Sequence, residues 1–321
     1  MDAAKKLRLH DLMVKSRVLE EQLIAMTRSG DGFFWIGGPG EEAFNVPVGL
    51  LVQKGEGPAF DYLHLHYRSS GILTAMGAEM IDAIRQMRAT ATDPYSGGRN
   101  FVNHYARHGW NVVPGTPTIE VQHSMVIGTA WVQKREGGTG ISIVNGGDAG
   151  AAEGDFATCL NWASRPSHEL PVLILIAHNH YGISTESTTQ WHMQDIASRA
   201  GPFGIRHAMV DGNDVEASWA ALEEAFAYVR RERRPYCLQG NVSRLNGHSS
   251  STGGARVEGE RDCIADFEQK LAAEKLLAPD AAKAVWDKYR VEAKAALEQA
   301  RAESYPDPAT LHRHTFYEGE G

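Results

Sequence analysis

Residues 141–155, ISIVNGGDAGAAEGD, decide the fold of this chain. The first four form a short and mostly apolar run, which is typical of a strand buried within a parallel sheet. A glycine-rich turn follows at residues 145–150, and the residues from Gly150 to Ala163 have the spacing of a helix. A buried strand that leads through a tight turn into a helix is the first half of a βαβ unit. This stretch therefore predicts a parallel sheet.

Strand-like and helix-like segments continue to alternate after this stretch. Apolar runs at residues 170–177, 205–210 and 236–242 indicate three further strands. Between the last two, a helix is expected to begin at Asn213, because Glu216 follows in the spacing of a capping box. The alternation predicts an α/β fold, with a doubly wound parallel sheet and flanking helices.

The chain after Gly259 has a different character. It contains two helical segments separated near Pro279, followed by a tail that is rich in proline. We therefore divide the chain into an α/β domain of residues 1–259 and a C-terminal helical segment of residues 260–321. The second part is expected to pack on the first.

The composition limits the classes of protein to which the chain can belong. Its 321 residues include 32 Lys or Arg and 40 Asp or Glu, which gives a formal net charge of −8. This acidic balance argues against a nucleic-acid partner, which would require a basic surface. Cys159, Cys237 and Cys263 are far apart in sequence, so we expect neither a disulfide framework nor a thiolate zinc site.

The sequence also argues against a membrane partner. The longest apolar run, from Val172 to Ala177, has six residues, whereas a membrane helix needs about 20. The first residues are charged and contain no apolar core of a signal peptide. We therefore expect a soluble protein of the cytoplasm.

Oxygen-bearing side chains follow two neighbouring strands of the predicted sheet. Asp148 follows the strand that begins at Ile141, and Asn179 follows the strand that continues to Ala177. Ligands of parallel sheets bind outside the carboxyl ends of the strands, where these side chains can converge. Carboxylate and amide oxygens suit Mg²⁺, and the start of a helix suits a phosphate. The pair favours a metal-bound diphosphate, while helix capping and turn formation remain the structural alternatives.

Residues 147–155, GDAGAAEGD, and residues 179–185, NHYGIST, together resemble the thiamine diphosphate motif of one enzyme family. That family is the alpha subunits of 2-oxo acid dehydrogenases, and the resemblance is closest to the branched-chain type. Six shorter segments extend it, in order, over most of the chain. They are GEEA at 40–43, YR at 67–68, GRNFVNH at 98–104, VDGND at 210–214, NGHSS at 246–250 and YPDP at 305–308.

The resemblance implies a set of site residues. Mg²⁺ would be held by Asp148, Asn179 and the backbone carbonyl of Tyr181. His104 and His248 would be the catalytic residues, facing the thiazolium ring and the bound 2-oxo acid. The residues implied to bind thiamine diphosphate are Tyr67, Arg68, Ile119, Gly147, Asp148, Ala149, Gly150, Asn179, Tyr181 and His248.

The resemblance also implies an activity and its partners. Such a subunit belongs to an oxidoreductase that acts on the oxo group of 2-oxo acids. It decarboxylates a branched-chain 2-oxo acid or pyruvate on thiamine diphosphate, and the acyl group passes to a lipoyl carrier. The implied partners are a beta subunit, in an α2β2 heterotetramer, and a lipoyl-bearing acyltransferase. The beta subunit would supply the glutamate that contacts the aminopyrimidine ring of the cofactor.

Three positions depart from the pattern of this family. Ala149 replaces the third residue of the motif, a glycine, and Ala177 stands where the branched-chain enzymes have a phosphate-binding arginine. Glu120 ends a segment that replaces the usual turn. Two alternatives stay open. One is an NAD-dependent Rossmann dehydrogenase, which would need an acidic residue where this chain has Asn179. The other is a scaffold subunit that kept the fold and lost turnover.

Overall fold

A five-stranded parallel sheet forms the centre of the computed structural model, which describes residues 1–313. The strands along the chain are β1 (Tyr62–His64), β2 (Ser142–Gly147), β3 (Val172–His178), β4 (Tyr181–Gly182), β5 (Thr185–Glu186), β6 (Arg206–Asp211) and β7 (Tyr236–Asn241). The sheet has the order β1-β2-β3-β7-β6, and β4 and β5 form a separate antiparallel hairpin.

Helices cover both faces of this sheet, and the predicted α/β fold class is confirmed. The α-helices of residues 1–313 are α1 (Ala3–Ser29), α2 (Glu42–Leu51), α3 (Ser70–Met76), α4 (Met80–Met87), α5 (Val121–Arg135), α6 (Gly154–Ala163), α7 (Ser187–Gln190), α8 (Val215–Glu232), α9 (Cys263–Ala273) and α10 (Pro279–Arg301). Within this part of the chain, none of the helices combines the length and the apolar character that a membrane crossing requires.

The central strand β3 shows why the sheet is covered on both sides. All seven of its residues are buried. Leu173 and Leu175 lie in an apolar core that includes residues of α3 and α8. Ile174 and Ile176 lie in a second core, on the other face, that includes residues of α5 and α6. A strand with two covered faces needs no alternation of polar and apolar residues, which explains the continuous apolar run in the sequence.

The last two helices, α9 and α10, belong to a third apolar core that they share with α1 and α4. An ion-pair cluster centred on the buried Arg17 links α1 to α2 and to the residue that precedes α9. Arg17 Nε lies 2.6 Å from Glu42 Oε1, and Arg17 Nη1 lies 2.9 Å from Asp262 Oδ2. The division into residues 1–259 and 260–321 stays a prediction, and residues 314–321 lie outside the described residues.

The helix α8 begins one residue later than the capping-box pattern predicts. Asp214 Oδ1 accepts hydrogen bonds from the N–H groups of Glu216, at 2.9 Å, and Ala217, at 3.2 Å. Asn213 is not the cap, because its Oδ1 accepts instead from the N–H of Ser243 at 3.1 Å. The asparagine therefore ties the start of α8 to the end of β7.

A buried histidine in β1 makes the stability of this fold sensitive to acid. His64 is 2% exposed, and its Nε2 lies 2.9 Å from Thr129 Oγ1. Burial, assisted by His123, lowers the pKa of His64 to about 3. The unfolded chain takes up this proton below about pH 6.5, while the folded chain does not. The contribution of His64 to stability is therefore present above pH 6.5 and is lost as the pH falls toward 3.

We expect His64→Gln to reduce this acid sensitivity, because glutamine cannot titrate and its Nε2 can replace the imidazole Nε2. Between pH 7 and pH 5, the free energy of unfolding of the wild type should fall by about 2 kcal/mol more than that of the variant. Urea unfolding of both proteins at the two pH values measures the difference. If the free energy of unfolding fell equally in the two proteins, His64 would not be the source of the acid sensitivity.

Candidate active site

The predicted site residues lie at the carboxyl edge of the sheet because β2 and β3 are parallel and in register. Gly147 of β2 pairs with Ala177 of β3. The turn that contains Asp148 therefore lies beside the turn that contains Asn179, as the sequence predicts. The other side of β3 pairs with β7, so the loop after β7 also begins at this edge.

One cavity of about 450 Å³ lies at this edge of the sheet. It is lined by every residue that the sequence implied for cofactor binding, namely Tyr67, Arg68, Ile119, Gly147, Asp148, Ala149, Gly150, Asn179, Tyr181 and His248. Its volume falls in the range of small-molecule sites, roughly 300–1,000 Å³. The structure thus brings these residues together, and their individual roles are proposals.

The other predicted catalytic residue, His104, lies just outside this cavity. It lines a narrow adjoining space together with Tyr67, Ile119 and Glu120. The centroids of the His104 and Tyr67 rings are 6.3 Å apart. The ring of His248 lies at a similar distance from the same tyrosine, 6.1 Å. Both predicted catalytic histidines therefore lie beside the ring of Tyr67.

Residues that line the cavity carry oxygen atoms suited to a hard cation. Asp148 Oδ1 accepts from the N–H of Ala149 at 2.8 Å, and its Oδ2 lies 2.9 Å from His178 Nδ1. Asn179 Oδ1 accepts from the N–H of Tyr181 at 3.2 Å. Each oxygen retains lone-pair capacity. One carboxylate together with amide and backbone oxygens fits Mg²⁺, the metal that the resemblance implies.

A purely side-chain metal centre is absent from the described part of the chain. No group of three or more His, Cys, Asp or Glu side chains within residues 1–313 is placed to hold an ion. A metal at Asp148 would therefore depend on amide and backbone oxygens, on water and on the phosphates of a ligand.

The guanidinium of Arg68 gives the cavity a buried positive charge. It donates a hydrogen bond to the backbone carbonyl of Gly37 and another, over 3.0 Å, to His248 Nδ1. Its nearest carboxylate is that of Glu41, with Arg68 Nε 4.0 Å from Glu41 Oε1. Burial raises the pKa of Glu41 to about 7, although Arg68 opposes this shift. Near neutral pH the charge of Arg68 is only partly balanced, which favours an anion in the cavity.

His248 presents a hydrogen-bond donor. Its Nδ1 faces the guanidinium of Arg68, which can only donate, so Nδ1 accepts and the ring proton resides on Nε2. Burial, and then the charges of Arg68 and Arg244, lower the pKa of His248 to about 4. At neutral pH the ring is therefore an uncharged imidazole whose Nε2–H can donate.

His104 presents the opposite capacity, a hydrogen-bond acceptor. Its Nδ1 lies 3.1 Å from the backbone carbonyl of Val102, and a carbonyl can only accept, so the ring proton resides on Nδ1. Burial lowers the pKa of His104 below its ordinary value. Its Nε2 is buried, and within residues 1–313 it has no hydrogen-bond partner. This lone pair is free to accept a proton or a hydrogen bond.

A buried carboxylate on α1 anchors the loop that carries His104. Asn103 Nδ2 donates to the carbonyl of Ile36 at 2.8 Å and to Glu20 Oε1 at 3.3 Å. Glu20 also accepts from Trp35 Nε1 at 2.8 Å, and burial raises its pKa. The N-terminal helix thereby fixes both the glycine-rich segment and the loop around the site.

A model of the dehydrogenase E1 component family matches residues 10–309, which is most of the chain. The chain belongs to this family. Its members are thiamine-diphosphate-dependent oxidoreductases that act on the oxo group of 2-oxo acids, so the predicted family and enzyme class are confirmed. Membership of the E1 family favours thiamine diphosphate over the nicotinamide cofactor of the Rossmann alternative.

Relatives of this E1 chain include alpha subunits of 2-oxoisovalerate dehydrogenase. The one from Bacillus subtilis (strain 168) is 28% identical over 254 residues, covering 79% of this chain and 75% of the relative. The mitochondrial subunit alpha 2 of Arabidopsis thaliana is 28% identical over 249 residues, covering 78% and 51%. The mitochondrial alpha subunit of Mus musculus is 27% identical over 245 residues, covering 76% and 54%. The chain spans about half the length of the plant and mouse relatives.

Glu120 explains why the turn of this E1 motif needs glycine at positions 146 and 150. It is 1% exposed, has a positive φ of 64°, pairs with His123 and accepts from the N–H of Gly147 at 3.2 Å. A Cβ atom built at either Gly146 or Gly150 would overlap the Glu120 carboxylate. The turn therefore needs glycine at 150, whereas position 149 accepts alanine. The sequence marked Glu120 only as a departure, because the motif glycines that it contacts lie about thirty residues further along the chain.

A second arginine of this E1 chain, missed by the sequence analysis, lies beside the cavity. The guanidinium of Arg244 lies 4.7 Å from the centroid of the Tyr181 ring, and its Nη1 donates to the carbonyl of Ile183 at 2.8 Å. Ala177 leaves β3 without an arginine, and Arg244 brings positive charge to this side from the loop after β7. Sequence spacing could not reveal that Arg244 lies near Tyr181, because Tyr181 follows β3 and Arg244 follows β7.

We expect Gly150→Ala to lower the free energy of unfolding by about 1–3 kcal/mol, because its Cβ would be forced against Glu120. Gly147→Ala is the matched control, since a Cβ there meets no atom within 4 Å, and it should have little effect. The double variant Glu120→Gly/Gly150→Ala should recover stability relative to Gly150→Ala. Chemical unfolding of the three variants measures this, and equal losses at 147 and 150 would refute the packing explanation.

Proposed function

We propose that this chain is the alpha subunit of a branched-chain 2-oxo acid dehydrogenase and acts with a beta subunit. The observation that carries the proposal is the single cavity lined by every residue implied for thiamine diphosphate. The names of the relatives favour a branched-chain 2-oxo acid over pyruvate as the substrate. The α2β2 assembly, the lipoyl-bearing acyltransferase partner and the cytoplasmic location predicted from the sequence belong to the same proposal.

The diphosphate and its metal would lie between the motif turn and Arg68. Asp148, Asn179 and the backbone carbonyl of Tyr181 would hold Mg²⁺. Arg68 would bind the phosphates through charge-assisted hydrogen bonds, with Tyr67 beside it. The start of α6, after Glu153, would add the favourable field of a helix N-terminus.

The two histidines would divide the polar contacts of the reacting end. Bound thiamine diphosphate supplies the electron sink for decarboxylation. His248 would donate its Nε2–H to an oxygen of the 2-oxo acid, and Arg68 would hold the ring in that tautomer. His104 would accept a hydrogen bond or a proton at Nε2, its tautomer being held by the carbonyl of Val102. Because the tautomers of both histidines would be fixed before the substrate binds, their hydrogen-bonding groups would need little rearrangement during the reaction.

Replacing Asp148 tests the metal assignment. We expect Asp148→Asn to weaken Mg²⁺-dependent binding of thiamine diphosphate on the order of 100-fold or more, because the ion loses its charged ligand. Glu153→Gln is the control, since Glu153 lines the same cavity but is exposed and is outside the proposed ligand set. Isothermal titration calorimetry of the alpha–beta complex measures both variants, and equal affinities for them would sink the assignment.

Replacing His248 tests the catalytic proposal. His248→Ala should leave cofactor affinity nearly intact and lower turnover by roughly 10²-fold, the scale of a positioned acid–base group. His248→Gln should lose less, because its amide N–H can replace Nε2–H. Reductive acylation of a lipoyl domain by the alpha–beta complex, beside a cofactor titration, provides the readout. Wild-type turnover in His248→Ala would move the catalytic role to His104, while binding without turnover in the wild type would favour the scaffold alternative.

A further inference from the structure

A buried histidine contacts the carboxylate of Asp148 directly. His178 is fully buried at the end of β3, and its Nδ1 lies 2.9 Å from Asp148 Oδ2. Because an ionised carboxylate can only accept, Nδ1 carries the proton of this hydrogen bond. The pairing of Gly147 with Ala177 places the two residues side by side.

His178 is itself held in place by a polar network. Its Nε2 lies 3.2 Å from Gln194 Oε1, and that oxygen accepts a hydrogen bond from Ser187 Oγ at 2.8 Å. The backbone carbonyl of Gln194 accepts from Gln239 Nε2 at 2.8 Å. The carbonyl of His178 accepts from the N–H of Val242 at 3.0 Å. The imidazole therefore has little freedom to turn away from Asp148.

The other contacts of Asp148 are one local hydrogen bond to its carboxylate and one hydrogen bond to its backbone. Oδ1 accepts from the neighbouring N–H of Ala149 at 2.8 Å, and the backbone carbonyl accepts from Trp191 Nε1 at 3.2 Å. A single local hydrogen bond leaves the second oxygen free to rotate. The contact with His178 is the one that sets the direction of Oδ2.

We propose that His178 is a positioning residue, which holds the Asp148 carboxylate in the orientation that receives Mg²⁺. The inference rests on the proposed function, because it takes Asp148 as a metal ligand. A ligand oriented before the ion arrives loses less conformational freedom when it binds. Partners that orient metal ligands typically contribute 10- to 100-fold in metal affinity. A purely structural histidine would affect stability without changing the metal requirement.

Two isosteric substitutions separate these roles. In His178→Asn, the amide nitrogen replaces Nδ1 and can still donate to Asp148. In His178→Gln, the amide nitrogen replaces Nε2, which points toward Gln194, and the contact with Asp148 is lost. His207→Gln is a control for the loss of an imidazole, because His207 lies on β6 and contacts the carbonyl of Ile205.

The experiment titrates MgCl₂ into each alpha–beta complex at a fixed concentration of thiamine diphosphate and follows cofactor binding by calorimetry. We expect His178→Gln to raise the Mg²⁺ concentration at half-saturation by about 10- to 100-fold, and His178→Asn to stay within about threefold of the wild type. His207→Gln should match the wild type. Thermal unfolding of the same proteins without Mg²⁺ shows any separate effect on stability.

The outcomes distinguish failure of this inference from failure of the proposed function. If the wild type binds thiamine diphosphate without needing Mg²⁺, the metal assignment fails, and the role of His178 fails with it. If the wild type needs Mg²⁺ and His178→Gln has the same requirement, only the role of His178 is overturned. An equal rise in His178→Asn and His178→Gln would also overturn it, because the asparagine retains the donor.

Discussion

The register between β2 and β3 is the constraint on which the rest of this structure depends. The pairing of Gly147 with Ala177 sets the motif turn beside the turn after β3. A slip of one residue would move each side chain of β3 to the opposite face. Since the two faces pack against different helices, the apolar cores resist such a slip. The geometry of the polar site therefore follows from the packing of apolar residues on both sides of the sheet.

The buried polar groups at this edge of the sheet have polar partners. Burying a charge is costly unless it is paired and hydrogen-bonded. Asp148 faces His178, and Arg68 faces both Glu41 and His248. Burial, and then the positive charge of Arg68, lower the pKa of His248 and keep its ring neutral. The same contacts that make burial tolerable thus determine which atoms of the site donate and which accept.

The sequence predicted those features that depend on local pattern and on the order of elements. The alternating segments indicated the parallel sheet, and Asp148 and Asn179 indicated the edge at which a ligand would bind. It did not predict α3 or α5, and Asp214 rather than Asn213 caps α8. Nor did it reveal the role of Glu120, whose side chain meets glycines of the motif turn only in the folded chain. Such contacts join distant segments and leave no periodic signal.

The central claim is that Mg²⁺ and thiamine diphosphate occupy the cavity at the carboxyl edge of this sheet. The most direct measurement is a crystal structure of the alpha–beta complex grown with thiamine diphosphate and Mn²⁺, whose anomalous signal locates the ion. The account predicts one peak bound by Asp148, Asn179 and the carbonyl of Tyr181, with the diphosphate beside Arg68. An ion bound elsewhere, or a cofactor outside this cavity, would contradict it.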